Sequence, residues 1–162
     1  MPKRPDILST RGEARRAELL EAAIEVVAES GVGGATHRAV ASRAGVPLST
    51  TSYFFDSLDE LIAAALQVAA DRLVSDLDAQ IKRISDARPG VDEAVDPFVD
   101  LLMNARVNDV VAQFEIYLEC PRRPVLQATA HQIMSTFERA AESALRALGV
   151  TDAAERAPMV VE

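Results

Sequence analysis

The sequence predicts an all-α protein, and three observations carry that prediction. Apolar residues make up 49% of the chain but aromatics only 4%, so alanine, leucine and valine must do most of the packing. Alanine and leucine are the strongest helix formers, whereas strands favour β-branched and aromatic residues. No strand-like alternation of apolar and polar residues occurs, and apolar residues instead recur at three- and four-residue spacing through most of the chain.

Between Glu13 and Glu29 the apolar positions are Leu20, Ala23, Ile24 and Val27, with Glu18, Glu21, Glu25 and Glu29 on another face, which defines an amphipathic first helix. Ser30-Gly31 should end it, because glycine accepts the left-handed cap conformation, and Gly33-Gly34 prolongs the break. Thr36 is a good N-cap for a short second helix reaching Ala44. Gly45 permits a tight turn, and Pro47 stands where a third helix should begin, since a first-turn proline sacrifices no hydrogen bond. Asp56 or Ser57 caps a long fourth helix with the stripe Ile62, Leu66, Ala69, Leu73, Leu77, Ile81 and Ile84, which Pro89-Gly90 stops.

Three further helical patterns follow. Val95, Phe98, Leu102 and Ala105 mark one, Val110, Phe114 and Tyr117 the next, and Leu126, Ala130, Ile133, Phe137, Ala141, Leu145 and Leu148 a long one closed by Gly149. A last helix is expected from Asp152, where Glu155 completes a capping-box spacing, with Pro158 opposing its continuation.

Charge is unevenly shared. The net charge is −8, yet residues 1–55 sum to +1 and residues 56–162 to −9. Residues 30–55 contain Arg38 and Arg43 and no acid at all. Local sign governs what a surface attracts, so an acidic total does not exclude a nucleic-acid partner. The single cysteine, Cys120, excludes an internal disulfide and suits a reducing compartment, so a cytoplasmic location is expected. No apolar run approaches the roughly 20 residues of a membrane span. Metal-ligand spacing, phosphate-cradling glycine loops and a nucleophile beside an oriented base are all missing from the pattern, so neither an enzyme nor a bound cofactor is expected.

The second helix, tight turn and third helix have the proportions of a helix-turn-helix. Ala41 and Gly45, four apart, place a small residue at the helix crossing and a glycine at the turn, with Val40 and Val46 facing the first helix. In this motif the second helix of the pair enters the major groove. Ser49, Thr50, Thr51 and Ser52 supply four short hydroxyl donors in succession, and Tyr53 can give its hydroxyl to a phosphate.

The segment from Ala44 to Leu61 resembles the tetracycline-repressor (TetR) family of bacterial transcription regulators. The matching features are the amphipathic first helix, the Thr36 cap, the Ala41-Ser42-Arg43-Ala44-Gly45-Val46 block and Phe55 ahead of a Ser-x-Asp-Glu-Leu helix start. The likeness is strong across residues 13–62 and continues, through helix order and length alone, to about residue 150. It implies that Phe55 packs inward against the fourth helix while Tyr53 faces the DNA backbone. Members commonly carry tyrosine in place of Ser52 and lysine in place of Leu58, both phosphate contacts; Pro47 and Leu48 also replace commoner small or basic residues. Here the weight is expected to shift to Tyr53, His37, Arg38 and the basic N-terminal arm, so the expected DNA-facing set is Thr36, His37, Arg38 and the run Pro47 to Tyr53.

The resemblance further implies an N-terminal helix-turn-helix DNA-binding domain over residues 1–55 and a helical ligand-binding and dimerisation domain over 56–162. Family members run on through helices that pair across a dimer, so that bundle is expected to be incomplete in this chain. The implied function is a ligand-responsive regulator, most simply a homodimeric repressor that a small molecule releases from a near-palindromic operator in double-stranded DNA. Residues implied for the effector cavity are Leu66, Phe98, Met103, Gln113, Phe114, Tyr117, His131, Met134 and Phe137, each of which could equally serve as packing. Two alternatives stand beside this: an interaction protein that keeps the fold without operator binding, and a constitutive DNA-binding protein with a filled body.

Overall fold

The computed structural model describes residues 10–87 and 105–161, and among them are seven helices and no strand. They are α1 (Thr10–Gly34), α2 (His37–Arg43), α3 (Leu48–Phe54), α4 (Leu58–Ala87), α5 (Val107–Glu119), α6 (Pro124–Ala147) and α7 (Ala153–Val161). The helical pattern around Val95, Phe98 and Leu102 and the Pro89-Gly90 stop lie outside the described residues, as do the candidate effector residues Phe98 and Met103.

One apolar cluster runs through the molecule. Leu19, Ala23, Ile24 and Val27 of α1 meet Val40 of α2, Leu61, Ile62 and Leu66 of α4, Ala112 and Ile116 of α5, and Leu126 and Ile133 of α6. The small side chains let α1 lie closely against both α4 and α5, while α4 is backed by α6 and α6 by α7. Burying such aliphatic side chains contributes about 1.5–3 kcal/mol each.

Local signals set most boundaries. The Thr36 hydroxyl accepts from the Ala39 N–H at 3.0 Å, and the Ser57 hydroxyl from the Glu60 N–H at 3.1 Å, so Ser57 is the cap of α4. Gly45, at φ 65°, closes α2: its N–H reaches the Ser42 carbonyl and the Val46 N–H reaches the Ala41 carbonyl. That is the paired Schellman bonding, which a left-handed residue makes possible.

Two boundaries differ from expectation. Gly31, at φ 70° and ψ 170°, breaks the regular helix where expected, but helical turns resume as far as Gly34 because fully buried Val32 draws the chain back onto the core. Gly31 also meets α5, where an added Cβ would sit 2.8 Å from the Glu115 carboxylate. In α7 the helix continues past Pro158, whose missing N–H costs only the one bond to residue 154 of this short helix. Among the described residues no helix is long and apolar enough to cross a membrane.

Candidate nucleic-acid interface

The third helix sorts its side chains by the helical period. Leu48, Ser49, Ser52 and Tyr53 fall on one exposed quadrant, with Tyr53 67% exposed. Thr50 and Phe54, four apart, are half-buried at its flank, and Phe54 packs against the core. Thr51 and Phe55, also four apart, point inward and are 0% and 1% exposed. The expectation that all four hydroxyls of the run face outward is therefore corrected at Thr51. Its hydroxyl donates to the Leu48 carbonyl at 2.8 Å, one turn back, because a residue four before the inward Phe55 must share its face.

The three aromatics divide the same way. Phe55 enters the core, and the Arg16 guanidinium lies 5.2 Å from its ring centroid. Phe54 meets Tyr53 edge-on, with centroids 5.0 Å apart, so the outward tyrosine ring is braced at its base.

Thr36, Arg38 and Pro47 are also exposed, and residues 30–55 include no acid, the next ones in sequence being Asp56, just ahead of α4, and Asp59 in its first turn. Arg38 makes no ion pair among the described residues. Arg43 is already engaged, giving Nη1 to Glu25 at 3.1 Å and to Glu29 at 2.8 Å, with a second bond from Nη2 to Glu29. Those bonds bring the Glu29 carboxyl below its ordinary range and fasten α2 to α1. His37 is half-buried, and its Nδ1 has no hydrogen-bond partner among the described residues. Leu58, where the family pattern has lysine, is half-buried against the core.

A second polar constellation joins α1 to the body. Arg72 of α4 bonds Glu21 of α1 at 2.5 Å and lies 3.5 Å from both carboxylate oxygens of Asp109 on α5. Arg106 reaches the other Glu21 oxygen, and its Nε lies 4.0 Å from Asp109. Burial pushes the Glu21 carboxyl up, but the bonds and charges of Arg72 and Arg106 outweigh it and leave the value below 4.5. Asp109 is 5% exposed and borders a small open cleft of about 20 Å³ lined also by Arg72, Leu73, Asp76, Ala105, Arg106 and Val110. The sequence marks Glu21 only as one of the glutamates on the polar face of α1 and gives no sign of Arg72, Arg106 or Asp109 as its partners.

With the Glu21 value depressed on folding, its contribution is complete above the ordinary carboxylate pKa and is lost as pH falls through the lower folded value. Glu21→Gln is accordingly expected to cost about 1 kcal/mol at pH 7, with solvent screening included. The stabilities of mutant and wild type should converge as pH falls through that lowered folded value. A constant difference down to pH 3 would assign the loss to packing.

The described residues implied for an effector cavity divide: Leu66, Tyr117 and Phe137 share the apolar cluster, and others lie outside it. Phe114 is 63% exposed and His131 is exposed, which corrects their placement inside a cavity. The inward face of α5 belongs to Asp109, Ala112 and Ile116. Leu66 sits in the central core at 1% exposure. Gln113 and Tyr117 are half-buried and share a hydrogen bond of 3.1 Å, while burial raises the Tyr117 phenol and the Gln113 bond partly offsets it. Met134 and Phe137 are half-buried on α6. None of these residues lines the α4–α5 cleft. No cluster of three metal-ligating side chains occurs among the described residues.

Comparison with known families agrees with this architecture. Residues 19–65 match the model for bacterial regulatory proteins of the tetR family, and residues 89–162 match the tetracyclin repressor-like C-terminal domain. The chain belongs to the TetR family of transcriptional regulators. It is 32% identical over 128 residues to the nicotine-responsive transcriptional repressor HdnoR of Paenarthrobacter nicotinovorans, covering 77% of this chain and 64% of that protein. It is 35% identical over 105 residues to the transcriptional activator FasR of Mycolicibacterium smegmatis, covering 62% and 48% respectively. The chain thus spans less than two thirds of the curated relatives it matches. Among solved structures, the multidrug binding protein EbrR, complexed with imidazole, superposes with a TM-score of 0.68 at 31% identity over 91% of this chain and 78% of its own. A transcriptional regulator from Rhodococcus sp. Rha1 gives 0.72 at 26% identity, over 90% and 77%.

Proposed function

We propose that this regulator is a ligand-responsive repressor that binds a near-palindromic operator as a homodimer in the cytoplasm. Residues 1–55 form the reading head and residues 56–162 the effector-binding and dimerisation body. One observation carries the proposal: Leu48, Ser49, Ser52 and Tyr53 are exposed together on the second helix of a helix-turn-helix whose stretch 30–55 holds no acid. A helix so placed can enter the major groove with short donors toward base edges, a tyrosine hydroxyl toward phosphate and Arg38 toward the adjoining backbone.

Ligand response is supported by the relatives. HdnoR is named for nicotine, and EbrR has been solved with ethidium and with proflavin. An effector bound in the body acts only through its preference for one spacing of the two heads over another. The Glu21–Arg72–Arg106–Asp109 constellation is a physical link through which such a preference can reach α1. Repression follows the HdnoR precedent, and a promoter-reporter assay separates it from the activation for which FasR is named.

Gel shifts on a duplex selected from random sequence test the reading head. Tyr53→Phe is expected to weaken binding about tenfold, the worth of one hydrogen bond to a charged group. Arg38→Ala should weaken it similarly and reduce the slope of log affinity against log salt by about one. Helicity should stay constant in both variants. Unchanged affinity and slope would show that this surface does not face DNA.

A further inference from the structure

We infer that Leu48 is a base-reading residue and that it selects a thymine, through the C5-methyl group, in each operator half-site. The inference rests on the proposed DNA-reading role of α3. Leu48 is the first residue of that helix and 45% exposed, and it lies outside the apolar cluster that takes in Val46, Phe54 and Leu58 around it. A lone exposed leucine elsewhere would need no explanation. Here it occupies the leading turn of the helix that enters the groove, on the same quadrant as Ser49, Ser52 and Tyr53.

The chemistry of the groove then restricts what it can meet. Ser49 and Ser52 pair with donors or acceptors alike and discriminate little. Among the four standard bases, the major-groove edge offers acceptors on guanine, an amine donor on cytosine, both on adenine, and an apolar group only on thymine. Leu48 has no polar atom, so guanine or cytosine beneath it would lose water and gain no hydrogen bond. Thymine buries a methyl against the leucine instead. Specificity arises from both the attraction and the penalty.

The test uses the full chain and its selected duplex, with each thymine replaced singly by deoxyuridine, which keeps base pairing and removes only the methyl. One position per half-site should lose about three- to tenfold in affinity, the worth of one buried methyl. In Leu48→Ala the same replacement should change affinity less than twofold, and Leu48→Met, which retains apolar reach, should keep the sensitivity. Circular dichroism checks that both variants are folded. Wild-type protein indifferent to every deoxyuridine, or equally sensitive in Leu48→Ala, would overturn the inference while leaving operator binding intact. No preference for any selected duplex over random DNA would remove the operator reading, and this inference with it.

Discussion

Phe55→Ala is expected to destabilise the fold by about 3–5 kcal/mol, the cost of deleting a fully buried aromatic and leaving a cavity. For a chain of this size that lowers Tm by about 6–20 °C. Phe55 is 1% exposed, its N–H closes α3 on the Thr51 carbonyl at 2.9 Å, and its ring meets Arg16 of α1. It therefore fixes the end of α3, and the DNA binding proposed for that helix should fall with stability. The informative comparison is Tyr53→Ala, two residues away and 67% exposed, which should change stability by no more than about 0.5 kcal/mol. Thermal melts of equal depression in both would contradict the assignment of faces on α3.

Ser52→Glu should cost about a hundredfold in operator affinity while leaving Tm nearly unchanged. Ser52 is exposed in the middle of the α3 face proposed to read DNA. A carboxylate there is repelled by the phosphates and by the acceptors of the groove edge, where only the amines of cytosine and adenine can donate to it. Its neighbour gives the control. Thr51 is buried and spends its hydroxyl on the Leu48 carbonyl, so Thr51→Val should lose about 0.5–1.5 kcal/mol of stability and less than twofold in affinity. A large affinity loss in the valine variant at matched folding would return Thr51 to the interface.

Much of the fold was legible in the sequence because its signals are local. Thr36, Ser57 and Gly45 each fix a helix end through bonds to residues a few positions away. The stripe of α4 was readable for the same reason, with Ile62, Leu66 and Ala69 all buried. The hydroxyl run was legible as a helix and as polar, but which hydroxyl turns inward depends on Phe55 anchoring the phase. In α5 the apolar residues Val107, Val110, Val111, Ala112, Phe114, Ile116, Tyr117 and Leu118 go almost all round the helix, so periodicity could not choose a face. Packing against α1 chose Ala112 and Ile116 and left Phe114 outside.

Long-range charge pairing was the least accessible. Glu21 finds Arg72 at 51 positions' distance and Arg106 at 85, and no spacing rule connects them. In the sequence, Glu21 is one of several glutamates on the polar side of α1. In the structure those glutamates divide their work: Glu25 and Glu29 hold α2 through Arg43, and Glu21 holds α4 and α5.

The exposed quadrant of α3 is tested most directly by competition binding of the full chain between duplexes recovered from a random pool and unselected DNA, at physiological salt. A recovered near-palindromic sequence held at least about a thousandfold more tightly than unselected DNA is the expected result. Equal retention of both, or retention unaffected by Ser52→Glu, would contradict the account.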